Sequence, residues 1–221
     1  MVKIVIFGDS NTWGFDPRNG LARPDRFVRL FAQWHPEWTI VDDGLNGRLM
    51  ASDDPYFGDI DGSRQLCAFL KRQVPYDLLV IALGANDARR MFHASLAGWS
   101  QAFEKLVKTA VAANRNAFAS IGDPHTAPIV FVEPPAFGLD HSKWSDGYAS
   151  YGESGIQILS NCHYIMKQTA EKYGCQFLDV QKKGVKGGAV DGIHLDSEGH
   201  QKMAQCLGQW IEKQLAEGKI A

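Results

Sequence analysis

The chain has 221 residues, 45% apolar and 22% charged, with 23 Lys and Arg against 25 Asp and Glu. That composition suits a globular protein with one sizeable core and excludes a disordered chain. A formal charge of −2 leaves no basic excess for a nucleic-acid backbone, and no apolar run approaches the roughly 18 residues of a membrane span.

In chain order, the first apolar run is Val2–Phe7, too short for a signal peptide, so a cytoplasmic protein beginning at or near Met1 is expected. Further runs follow at Trp38–Val41, Leu78–Leu83, Ile129–Val132 and Phe177–Val180, each fitting a strand buried on both faces. Helical spacing fills the intervals. Phe27, Leu30, Phe31 and Trp34 share one face, as do Leu66, Phe69 and Leu70, and Phe103, Leu106, Val107 and Ala110. Ile156, Leu159, His163, Met166 and Ala170 form a fourth stripe, and Met203, Leu207, Trp210, Ile211 and Leu215 a fifth, with Ser197 and Glu198 placed to cap it. Strands alternating with helices predict a three-layer α/β/α sandwich on a mostly parallel five-stranded sheet, with a flavodoxin-like strand order expected. Residues 1–221 are expected to form one domain, with long loops at about 48–62 and 133–155. The four cysteines form no C-x-x-C pair and read as small buried apolar residues.

The chemistry gathers at the predicted strand ends, where ligands bind in an open parallel sheet. The first strand ends in Gly8-Asp9-Ser10, the second in Asp43-Gly44-Leu45-Asn46-Gly47-Arg48 and the third in Gly84-Ala85-Asn86-Asp87. After the fifth comes Asp191-Gly192-Ile193-His194. Together these supply a nucleophile, a base, a group to orient the base and donors for an oxyanion, which is what acyl transfer needs. Ser10 is a weak nucleophile by itself and needs a base; His194 titrates near working pH and suits that role. Asp191, three residues earlier, is near enough in a tight turn to fix the imidazole tautomer. The Ser10 and Gly47 N–H groups and the Asn86 amide are the candidate oxyanion donors. An aspartate at position 86 would be isosteric but repulsive to an oxyanion. Trp13, Phe15 and Trp144 are candidates for the substrate pocket.

These four blocks resemble those of the SGNH (GDSL) hydrolase superfamily, and the longer strings from Ile4 to Gly14 and from Val190 to Leu195 resemble its arylesterase branch. The resemblance implies a flavodoxin-like fold and a Ser10, Asp191, His194 triad. Gly47 and Asn86 would complete the oxyanion hole, and Asp9 would support the nucleophile turn without reacting. It further implies a serine ester hydrolase acting on small esters, including aryl and acetylated-sugar esters, with acyl transfer to other alcohols in some members. No cofactor or metal is implied. The implied partner is a small-molecule ester, and assembly into a homo-oligomer through the two long loops is expected.

Three rival classes fit less well. A nucleotide- or flavin-binding module on the same fold would leave Asn86 and His194 without a task, and the chain has no G-x-G-x-x-G or phosphate-loop motif. A metal-dependent hydrolase using Asp191, His194 and His200 would lack any H-E-x-x-H. The α/β-hydrolase class would need a G-x-S-x-G elbow, which no serine here provides.

Overall fold

The computed structural model describes residues 1–54, 58–140 and 144–220. Five strands, β1 (Lys3–Gly8), β2 (Thr39–Gly44), β3 (Leu78–Ala82), β4 (Ile129–Val132) and β5 (Gln176–Leu178), form one parallel sheet in the order β2-β1-β3-β4-β5. That is the flavodoxin-like order, and its carboxyl edge is where a site is expected.

Side chains alternate between the two faces of each strand, so each central strand feeds two cores. Val5, Phe7, Leu79, Ile81 and Phe131 face α3 (Gly62–Gln73), α4 (Leu96–Ala119) and α5 (Asp146–Lys172). Ile4, Ile6, Leu78, Val80 and Val130 face α2 (Phe27–Trp34) and α6 (Ser197–Ala216). Among the described residues no helix is long and apolar enough to cross a membrane. The cysteines are free, with Cys162 and Cys175 buried.

The structure corrects four local expectations. The run at Trp38–Val41 is not a strand buried on both faces: β2 is an edge strand, half-buried along its whole length, and it continues into Asp42 and Asp43. The run at Phe177–Val180 shifts to Gln176–Leu178 on the opposite edge. Asp196, not Ser197, caps α6, its carboxylate accepting from the Gly199 N–H at 2.9 Å; the Ser197 hydroxyl instead accepts from Arg23 at 2.6 Å. The loop expected to reach residue 155 ends at Ser145, whose hydroxyl caps α5 by accepting from the Tyr148 N–H. Its glycines concealed the helix, and Gly152, with φ +61°, puts a kink inside it. The other long loop closes on Asp61, which caps α3; Pro55, Tyr56 and Phe57 lie outside the described residues.

Candidate active site

β1 runs directly into α1 (Ser10–Trp13), a single turn capped by Asp9, whose carboxylate accepts from the Asn11 N–H at 2.9 Å. Ser10 therefore stands at the first helical position, beyond the carboxyl end of β1. His194 Nε2 lies 2.9 Å from Ser10 Oγ, and His194 Nδ1 lies 2.6 Å from Asp191 Oδ2. The sequence separates Ser10 from His194 by most of the chain, and the sheet brings them into hydrogen-bond reach.

The turn carrying His194 largely holds itself. Asp191 Oδ1 accepts from the N–H groups of Ile193 and His194, both at 2.9 Å, leaving Oδ2 for the imidazole. Burial alone would raise the Asp191 carboxyl; the His194 hydrogen bond and charge, with the two backbone donors, outweigh it and hold the group below its ordinary value. From outside, Asn11 grips the same turn, its Oδ1 accepting from the Leu195 N–H at 2.9 Å. The start of α5 also presses on it. A Cβ on Gly147 would sit 1.7 Å from the Asp191 carbonyl oxygen, so only glycine fits there.

The second loop brings Gly47, at φ +79°, beside the serine. Neither the Ser10 nor the Gly47 N–H donates to another described residue. The Asn86 amide spends one hydrogen on the Arg48 carbonyl at 3.2 Å, which aims the side chain, and has a second to offer. Arg48, 2% exposed, donates to the Gly8 carbonyl at 2.8 Å, to Asp43 through both its carbonyl and carboxylate, and to Gln65. Asp87 accepts from the Met50 N–H at 3.0 Å. Burial drives the Asp87 carboxyl up to about 7 and the Asp9 carboxyl to about 6; the Asn11 N–H and the charges of His194 and Arg48 only partly offset the effect at Asp9.

Ser10, His194, Gly47 and Asn86 all open onto one cavity of about 270 Å³. Phe15 lines it with its ring 4.6 Å from the His194 ring. Its remaining wall carries the polar side chains Asn46, Arg89, Asp146 and Ser150 beside the apolar surfaces of Tyr151 and Ile193. The other two aromatic candidates are placed differently. Trp13 is not among the lining residues and packs toward Phe15, while Trp144 is 77% exposed beside a neighbouring depression. His200 is turned away as well: its Nδ1 accepts from the Phe27 N–H at 3.1 Å inside the α2–α6 layer.

Residues 4–207 match the sequence model of the GDSL-like lipases and acylhydrolases. The chain belongs to this family. The GDSL hydrolase is an esterase-family enzyme, and the nucleotide-binding alternative for its fold is not favoured. No curated protein sequence matches it. Solved structures resemble it along nearly its whole length. A carbohydrate acetylesterase family member from Sinorhizobium meliloti is 26% identical with a TM-score of 0.83, over 98% of this chain and 100% of that one. Est24, a carbohydrate acetylesterase from the same organism, is 24% identical with a TM-score of 0.84, over 96% and 99%. The aryl esterase of M. smegmatis is 23% identical with a TM-score of 0.82, also over 96% and 99%, and supports the same fold.

Asn11, Arg48 and Asp87 fall within the sequence blocks, but their roles are not legible there, because their partners lie on other elements. The stretch 146–155 reads as loop rather than helix, and its aromatics leave a pocket and a subunit contact both open. The aromatic content of that stretch was the one available signal, and Tyr151 does line the cavity.

Proposed function

We propose that this GDSL hydrolase cleaves small esters through a covalent acyl-enzyme on Ser10. Ser10 Oγ attacks the ester carbonyl while His194 Nε2 takes its proton. Asp191 accepts the Nδ1–H hydrogen bond and stabilises the imidazolium. The oxyanion is received by the Ser10 and Gly47 N–H groups and by the Asn86 amide. The alcohol departs with the proton from His194. Water, deprotonated by the same base, then releases the acid and frees the serine. Each of these steps is supplied by the chain's own groups, without a metal or cofactor. The observation that carries the reading is the relay from Asp191 through His194 to Ser10, at 2.6 and 2.9 Å, opening into the cavity.

A cavity of about 270 Å³ suits a short acyl group, and a wall of Asn46, Arg89, Asp146 and Ser150 suits an alcohol rich in hydroxyls. Acetylated sugars are therefore the favoured substrate class, in line with the acetylesterase names of the similar structures. Aryl acetates, with Phe15 beside the base, are the second class. Assembly into a homo-oligomer is part of the same proposal. The exposed Trp144 and Val190, which border one depression beside the site, are the face to examine by light scattering of the wild type and Trp144→Ser.

The test is hydrolysis of p-nitrophenyl acetate by the wild type and Ser10→Ala, purified in parallel. A loss of at least about a thousandfold is expected. Equal activity would remove Ser10 as the nucleophile. A ladder from acetyl to octanoyl esters should fall steeply with length, and a flat ladder would contradict the short acyl pocket.

A further inference from the structure

Away from the triad, three side chains from three elements meet farther along the same sheet edge. Glu133 directly follows β4, Asp179 directly follows β5, and His163 stands midway along α5. One ligand atom from each lies within 4.8 Å of the other two. His163 Nδ1 is 3.2 Å from Asp179 Oδ2 and 3.6 Å from Glu133 Oε1.

This cluster is built rather than incidental. Glu133 is 2% exposed, and its Oε2 is held by the Gln181 N–H at 3.2 Å, which leaves Oε1 facing His163. The His163 ring is set edge-on against Phe177 at 5.2 Å. Asp179 Oδ1 accepts from the Lys182 N–H at 3.1 Å, and the Lys182 ammonium lies 3.0 Å from Oδ2 on the solvent side. Among the described residues no lysine or arginine pairs with Glu133. Two carboxylates thus share a small space, one of them buried, with an imidazole as their common neighbour. A cation between them would take the place of the proton that such a pair otherwise shares.

The spacing and the donor types say which cation. Ligand bonds of about 2.0–2.2 Å, arranged tetrahedrally, place neighbouring ligand atoms roughly 3.3–3.6 Å apart. The two measured separations lie at this scale. One imidazole nitrogen with two carboxylate oxygens suits zinc and its transition-metal neighbours. Magnesium and calcium prefer shells of oxygen alone. The His163 and Asp179 side chains, 31% and 19% exposed, leave a path from solvent.

We propose that Glu133, His163 and Asp179 bind a divalent transition-metal ion of the zinc class, which fastens α5 to the ends of β4 and β5. The site is separate from the Ser10 chemistry and does not depend on it. Because α5 also carries Asp146, Ser150 and Tyr151 at the cavity wall, the ion would brace that wall from behind.

The experiment uses the full chain, stripped with chelator and titrated with Zn²⁺, Co²⁺ or Mg²⁺ under equilibrium dialysis and thermal unfolding. Zinc should bind at one ion per chain and, at about a hundred times its Kd, raise the unfolding midpoint by roughly 5–10 °C. Cobalt should bind with a visible d–d absorption, and magnesium at the same concentration should do neither. Glu133→Gln and His163→Gln should each weaken zinc binding at least tenfold, whereas His194→Gln should not. His163, being partly exposed on a helix, gives a reading even if the Glu133 variant does not fold. Absence of stoichiometric zinc binding would overturn the proposal. So would binding that survives both cluster substitutions, or that disappears only with His194→Gln.

Discussion

The two loops that meet at Ser10 are held in opposite ways. The Asp191–His194 turn is largely self-supporting: Asp191 spends one oxygen on its own backbone and presents the other to a histidine three residues on. The Gly47 loop is gripped by side chains that reach across other elements. Arg48 ties it to the ends of β1 and β2 and to α3, Asp87 holds Met50, and Asn86 holds the Arg48 carbonyl. Damage to the first loop should therefore remove chemistry and leave the fold. Damage to the second should erode oxyanion geometry and stability together.

Asp191→Asn gives the sharpest contrast. The amide can preserve the turn but cannot stabilise an imidazolium, so kcat should fall by about 10³–10⁴ while the unfolding midpoint moves little. Steady-state kinetics beside thermal unfolding checks this, and a large midpoint shift would show that the turn is not self-supporting. Asn86→Ala should lower kcat by about 10²–10³ with a smaller change in KM, because the amide is asked to act on developing charge. If kcat is unchanged, Asn86 is a loop tether only.

Arg48→Lys probes the gripped loop. Lysine loses the planar fork that serves several acceptors at once, so stability should fall by about 1–3 kcal/mol and turnover by roughly tenfold. A variant that loses turnover at full stability, measured by urea unfolding, would erase the distinction between the two loops.

A last comparison uses His200, which lies outside both. Burial is the largest cause of its depression to about 4, with the nearby Arg23 adding to it. The unfolded chain takes up a proton below the ordinary value of 6.5, and the folded chain does not until about 4. Its contribution to stability is therefore present above 6.5, shrinks as the pH falls, and levels off below 4 after a loss of roughly 3 kcal/mol. Urea unfolding at pH 7.5 and 5.0 should show this decline reduced in His200→Gln. Identical slopes would mean that other groups set the acid limb.

Where a feature is local in the chain, it was readable there. Asp191-x-x-His194 is legible because both residues sit in one turn, and Gly8-Asp9-Ser10 because Ser10 follows its strand directly. Arg48 and Asp87 gave no signal of their task, since an arginine after a glycine says nothing of the carbonyls it will reach. The apolar runs located five strands but misjudged the outer two. An apolar run shows that a strand is buried, while its place at an edge depends on the neighbours it acquires.

The sequence alone determined the alternation of strands and helices, the polar turns at their ends and the chemical types of the candidate site residues. These follow from periodicity and functional-group chemistry, which are properties of short segments. Only the tertiary structure decided that Ser10 and His194 come within 2.9 Å, that α5 closes the pocket, and that Glu133, His163 and Asp179 share one corner. Those contacts join segments far apart in the chain, and their distances are set by sheet order and layer packing, which no local pattern encodes.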